Sequence, residues 1–350
     1  MDKSASNKIR NMGFVCALLV VSIHTGLERV DGSAHWWLRS LFDCGVARIA
    51  VPFFFIASGF FIAGKPWHVE VRKRIKSLVV PYLIFALAYA AWLWLVTASV
   101  NAANGNNLLL GLPDKVCSLT WILGLKCYAL PALGPLWYVR NLLLLVLIYP
   151  LIEIAVKGKG RGLAWLLAVF SVYVAIAPSP PPHGPNQKFL IYLFSLEGLF
   201  YFSAGMYLRM NSFALRIRRE VAIPCIFAGF TLLALQVYFN VEEYRLRTVA
   251  IPFLIVGVFG LVPGKEWPIL LTSLSFPIYL IHKFVIFPFE HHHGFWLSFG
   301  NPCFGQIAFY CSIVLLSMAA ALMFKRFSPK ISAICFGGGA TRYLCRVKGF

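Results

Sequence analysis

Charge is what this chain has least of. Only 13% of its 350 residues are charged, against ~25% in a typical soluble domain. Acids are the scarcer kind, with 13 Asp+Glu against 32 Lys+Arg. Ordered cysteine spacing is also missing. The nine cysteines include no CxxC pair, which argues against a zinc ribbon and against a regular disulfide framework. Cys16, Cys225 and Cys311 fall in apolar runs, where cysteine acts as a small hydrophobe. Cys335 and Cys345 belong to the basic tail, and Cys117 and Cys127 would pair only in an extracytoplasmic loop. The basic start (Lys3, Lys8, Arg10) and the run from Met12 to Ile23 imitate a secretory signal, but no small-x-small cleavage site follows. The run reads as an uncleaved first span. No internal repeat and no separate soluble domain are visible.

What is abundant explains the scarcity. Hydrophobic residues make up 59% of the chain and mean hydropathy is +0.75. That content cannot hide inside one soluble domain, and disorder requires the opposite composition. A span needs ~20 mostly apolar residues to cross ~30 Å of hydrocarbon. Ten segments qualify: 9–27, 46–64, 78–99, 134–155, 163–178, 189–208, 221–239, 248–263, 268–289 and 305–324. The stretch 116–133, broken by Lys126 and Pro131, reads as interfacial or re-entrant. The expected fold is all-α, a polytopic membrane bundle of about ten helices. A membrane domain over 1–330 would be followed by a short basic cytoplasmic tail, 331–350.

The net charge of +19 would suggest nucleic acid on a soluble chain. Here it sorts by side. With the N-terminus placed inside, the inner segments hold 22 Lys+Arg and the outer loops 7. Such alternation is a positive-inside pattern. It predicts an even number of spans with both termini cytoplasmic, and no nucleic-acid partner. The run Arg72-Lys73-Arg74-Ile75-Lys76 suits contact with membrane lipid head groups.

An ionisable side chain within a span costs ~2.5–3.5 kcal/mol even on the lenient scale, so each is a functional candidate. Arg10 and His24 are fourteen residues apart in the first span. They fall near one helix face, ~21 Å apart along the axis. Arg48 precedes a phenylalanine run and Ser58-Gly59. Its bland alternative is snorkelling to the interface, and that of Ser58-Gly59 is close helix packing. Asp43 stands within reach of Arg48. Trp137 and Tyr138 suit an aromatic belt, whereas Arg140 and Asn141 would be costly in lipid and are expected to face the bundle interior. Glu197 reads as a mid-span carboxylate needing a cation, donor or proton. Ser275, Tyr279 and His282 share one helix face by their spacing. His291-His292-His293 reads as a solvated loop rather than a metal site, and no metal is expected.

With these residues assembled, the chain resembles the membrane-bound acyltransferase-3 family of integral O-acyltransferases. The likeness runs over roughly 9–330. It rests on Leu18–His24, on Arg48 with the run 52–61, and on Arg72, Arg74 and Pro81-Tyr82. It is completed by Pro135–Arg140 and Ser275–His282. Gly13 stands where the family usually has its first-span arginine, and Arg10 lies one turn further out. No esterase-like domain is appended. The resemblance implies acyl transfer, most simply of acetyl, to a cell-surface glycan or lipid-linked carbohydrate at the cell (inner) membrane, as a multi-pass protein.

The residues can be fitted to that chemistry. Transfer from a thioester to a hydroxyl needs a base, donors for the oxyanion and a grip on the acyl donor. His24 suits the base, since histidine titrates near neutrality. Arg48, Arg140 or Tyr279 would steady negative charge. Arg10, Arg72 and Arg74 would hold the phosphates of acyl-CoA, which guanidinium groups bind through paired hydrogen bonds. Ser58, Trp137, Tyr138, Asn141, Glu197, Ser275 and His282 would bind substrate. A proton-coupled transporter or glycan exporter also uses buried His, Arg and Glu. Such proteins often show two related halves, which this chain does not. A receptor or scaffold explains the spans but not the buried charges.

Overall fold

The computed structural model describes residues 3–25, 45–104, 134–176, 195–213, 215, 217–239, 245–290 and 302–336. Those residues form helices and no strand. In lipid the backbone must satisfy its own hydrogen bonds, which helices do locally. In chain order they are α1 (Lys3–His24), α2 (Ala50–Ile62, entered through the 3-10 turn Val46–Ile49), α3 (Trp67–Arg74), the π-turn Ile75–Val79, α4 (Val80–Ala103), α5 (Trp137–Val156) and α6 (Lys159–Ile176). Then come α7 (Leu196–Met210), α8 (Arg219–Tyr238), α9 (Arg245–Leu261), α10 (Ile269–Thr272), α11 (Ser275–Glu290), α12 (Pro302–Phe327) and α13 (Pro329–Cys335).

Each of the ten apolar segments overlaps a described helix, though some include turn residues such as Ala63 and Gly64. By length and composition five described helices can cross a membrane: Trp67–Ala103, Trp137–Val156, Lys159–Ile176, Arg219–Gln236 and Phe304–Phe327. Val46–Ile62 and Ser275–Ile286 are shorter apolar helices. The segment 116–133, the Cys117/Cys127 pair, Asp43 and the histidines 291–293 lie outside the described residues.

Helix α1 runs through the bundle and touches α2, α9, α10, α11 and α12. Both of its ends are tied by side chains to carbonyls. At the first turns Asn11 donates to Pro263 O and Lys265 O, each at 2.9 Å, and Asn7 to Gly264 O at 3.3 Å. At the other end Gln306 of α12 donates to Thr25 O at 2.9 Å. These bonds fix the height of every α1 side chain relative to α11 and α12.

Helices α2 and α7 pack closest through glycine. A methyl group on Gly59 would run into the Phe202 carbonyl, and one on Gly205 into the Ile56 carbonyl. The packing reading of Ser58-Gly59 therefore holds for Gly59. The α8–α9 pair repeats the device, with Gly257 against Ala222 and Ile226. Small residues at such crossings let backbones approach in a solvent that supplies no hydrophobic drive between helices.

The first residues after α12 are also helical. Residues 329–335 form a helix against α4 and α12. Ser332 is buried, and Phe336 sits between Phe85 and Phe324. The sequence boundary at 330 falls within this helix, whose second residue is the charged Lys330.

Overpacking of a tight core costs ~1–3 kcal/mol, and here the obstructing atoms are backbone. Gly59→Val and Gly205→Val are each expected to lower the thermal midpoint of the detergent-purified protein by several degrees, read by scanning fluorimetry. Gly64, where an added Cβ meets nothing, is the comparison site. Because its φ is +74°, Gly64→Asn is the suitable control, as asparagine tolerates that region.

Candidate functional site

Two cavities lie along α1, one at each end. The first, about 510 Å³ and called the inner cavity after the orientation expected from the charge pattern, is bounded by α1, α2, α3, the π-turn, α5, α10 and α11. Arg10, Lys73 and Arg74 supply its cationic lining. Ser58, Ser77, Thr272, Ser273 and Ser275 add hydroxyl groups, and Phe54, Tyr138 and Phe276 its aromatic walls. A volume of this size suits a small-molecule ligand.

The cations of this cavity have carboxylates behind them. Arg10 lies 3.8 Å from Glu266 and donates to Asn7 Oδ1 at 3.0 Å. Glu70 lies 3.7 Å from Lys73 and 3.6 Å from Arg74. Neither glutamate lines the cavity. Ser58 Oγ and Tyr138 Oη are 3.4 Å apart, and Ser275 Oγ is turned to Thr272 O at 3.0 Å.

The outer cavity is smaller, about 160 Å³, and is lined by His24, Arg48, Trp137, Tyr173, Glu197 and Arg247 among others. The His24 ring stacks on His282 at 5.2 Å between centroids, with planes 29° apart. His282 is fully buried. Its Nδ1 stands 3.2 Å from Ile278 O, and its Nε2 has no hydrogen-bond partner among the described residues. Glu197 hydrogen-bonds Tyr173, with Arg247 and Arg48 as its charged neighbours. Tyr173 in turn bonds Thr248.

Tyr279 of α11 lines both cavities. Its hydroxyl donates to the Pro135 carbonyl, which ties α11 to the turn preceding α5. Its ring packs edge-on against Tyr138 at 5.8 Å and against Phe54 at 6.3 Å. An aromatic partition therefore separates the two chambers.

The structure thus gathers most of the residues read from the sequence, but in two groups. Arg10, Arg74, Ser58, Tyr138 and Ser275 line the inner cavity; His24, Arg48, Trp137 and Glu197 line the outer one, with His282 stacked behind His24. Gly13 lies beside Phe54 instead. Arg72 is placed elsewhere: it is exposed on α3 and lines neither cavity. At ~100° per residue it points away from Arg74, and Lys73 takes the place beside Arg74. Arg140 and Asn141 are buried as expected but line neither chamber. Arg140 interacts with the Tyr82 phenol of α4. Glu197 is not mid-helix. It stands in the first turn of α7, after Ser195, whose hydroxyl accepts from Gly198 N at 3.0 Å.

Sequence reasoning missed Lys73, Tyr173, Arg247 and the glutamate behind the cations, Glu70. Arg247 carried a usable signal, being a base in a stretch expected on the outer side, against the inward bias. Glu70 carried another, as the lone acid within the basic stretch 65–76. Tyr173 carried none, since a tyrosine near a helix end is ordinary.

Comparison with known proteins agrees with this architecture. The family model described as "Acyltransferase domain" matches residues 9–326. The succinoglycan biosynthesis protein ExoH of Rhizobium meliloti (strain 1021) is 26% identical over 257 residues, which is 68% of this chain and 62% of that protein. The chain therefore spans less than two thirds of that relative's length. No solved structure matches the chain. A match across nearly the whole chain, over a helical bundle with two polar chambers on one helix, places the protein in the membrane acyltransferase-3 family.

Proposed function

We propose that the protein transfers an acyl group, most simply acetyl, from cytoplasmic acyl-CoA to a hydroxyl of a cell-surface glycan or lipid-linked carbohydrate. The observation that carries this reading is the pair of chambers meeting at Tyr279, cationic at the Arg10 end and holding His24 at the other. The proposed setting is a bundle of ten spans in the inner membrane, with both termini and the Arg10 end cytoplasmic. The inward charge bias supports that orientation.

In this reading Arg10, Lys73 and Arg74 hold the phosphates of the donor, and the pantetheine arm reaches past Tyr138 and Tyr279 toward His24. His24 removes the acceptor hydroxyl proton as the oxygen attacks the thioester carbonyl. Arg48 stabilises the oxyanion. The carbon–sulfur bond then breaks, and the thiolate takes a proton from His24. His282 keeps the His24 ring in place by stacking. Trp137 and Glu197 offer an apolar plate and a hydrogen-bond acceptor, a pairing suited to a sugar ring. The printed name of the relative, a succinoglycan biosynthesis protein, supports a carbohydrate-related acceptor. Family membership supports transfer over the transporter reading.

Two measurements check this. The first is mass spectrometry of surface glycan from deletion cells complemented with wild type or His24→Ala. The wild type is expected to restore an acyl ester and the variant to leave the glycan exported but unacylated. Full acylation by the variant sinks the role of His24, and glycan accumulating inside deletion cells favours an exporter. The second is donor kinetics of Arg74→Ala. Loss of a contact made equally in ground and transition states raises KM with kcat nearly unchanged, here by about tenfold for one charge-assisted phosphate contact.

A further inference from the structure

The inner cavity's cations pose a packing problem. Two of them, Lys73 and Arg74, lie within ten residues of a third base, Lys65, which stands outside the cavity, and like charges so close repel one another. One side chain offsets this, most fully at Arg74, whose side chain is 22% exposed against 62% for Lys73. The carboxylate of Glu70 is 3.7 Å from Lys65, 3.7 Å from Lys73 and 3.6 Å from Arg74. It is only 4% exposed, whereas an acid that merely decorates a solvated helix face would be in water. Helix α3 is itself strapped to α5. Trp67 Nε1 donates to Leu147 O at 3.1 Å, and the Tyr149 hydroxyl donates to Lys65 O.

The contrast with the opposite wall is informative. Glu266 stands behind Arg10 as Glu70 stands behind Arg74, but its side chain is 40% exposed. Pairs open to water are weak. Glu70 is the anchored member. Just beyond Arg74 the helix changes to the π-turn Ile75–Val79, which presents Ser77 and Leu78 to the same cavity. Single-turn π segments are frequent at functional sites.

We infer that Glu70 is a positioning residue of the donor site, holding Lys73 and Arg74 at the cavity wall in the arrangement that receives the donor's phosphates. The inference rests on the acyl-CoA reading above. Glu70 touches no ligand in it and acts through the two cations.

The sign of the effect separates this role from simple charge. If Glu70 only lowered the local positive potential, removing its charge would tighten phosphate binding. If it positions the cations, removal weakens binding although the site becomes more basic.

The experiment uses the full chain in detergent or nanodiscs, with CoA and pantetheine as probes. Pantetheine shares the thiol arm of CoA and lacks its phosphates. The wild type is expected to bind CoA well above pantetheine. Glu70→Gln is expected to weaken CoA about tenfold, or ~1.4 kcal/mol, and to leave pantetheine unchanged. Glu70→Asp keeps the charge but withdraws it by one methylene, and is expected to weaken CoA by a smaller factor of about three. Equal weakening of both probes by a folded Glu70→Gln overturns the positioning role. So does equal or tighter CoA binding by Glu70→Gln. Should Glu70→Gln fail to fold, Glu70→Asp decides alone, and its unchanged affinity for CoA overturns the role. A wild type that does not prefer CoA to pantetheine overturns the acyl-CoA reading itself, and this inference with it.

Discussion

The arrangement depends on the register of α1. In a bilayer, helices gain little from hydrophobic association and slide or rotate unless polar contacts or close packing hold them. Here the amide of Asn11 spans two carbonyls of the loop after α9, while Gln306 of α12 grips the carbonyl of Thr25. A side-chain hydrogen bond contributes only ~0.5–1.5 kcal/mol net. Leaving such amides unpaired in apolar surroundings costs more, so the clamps act chiefly by excluding other registers. With α1 fixed at both ends, Arg10 is committed to one chamber and His24 to the other.

How much of this was legible in the sequence follows from what lipid demands. Continuous apolar runs are compulsory, so apolar segments could be read directly; described helices overlap all ten, and five described helices are long and apolar enough to span. Residues that break the apolar pattern were also conspicuous, which is why His24, Arg48 and Glu197, which line one cavity together, could be singled out without a structure. What could not be read was direction around each helix. Trp137 and Tyr138 are neighbours in sequence yet line different chambers, and Arg140 turns to Tyr82 instead. Arg72 and Arg74 looked equivalent as bases and are not, because two residues of helix reverse the direction of a side chain. Glu197 looked central because hydropathy smooths over the start of a helix that Ser195 caps.

The charges that matter are supported rather than isolated. Glu197 sits among Tyr173, Arg247 and Arg48, Glu70 among three cations, and Lys325 donates to Ser273 O and Oγ at 2.9 and 2.8 Å. A buried charge is tolerable when paired and hydrogen-bonded. The Glu197 and Lys325 clusters join elements far apart in sequence and so help to brace the bundle, whereas the Glu70 cluster is local to residues 65–74.

The aromatic partition at Tyr279 has a consequence for the cell's energetics. Polar chambers opening toward opposite faces would, if they met freely, form a wetted pore. Protons driven by ~2.3 kcal/mol per 100 mV of membrane potential would leak through it. Apolar constrictions resist wetting, and the rings of Tyr138, Tyr279 and Phe54 supply one where the chambers approach. In the proposed transfer, the wall that the acyl chain would pass is also electrical insulation, which would let the group cross without discharging the membrane.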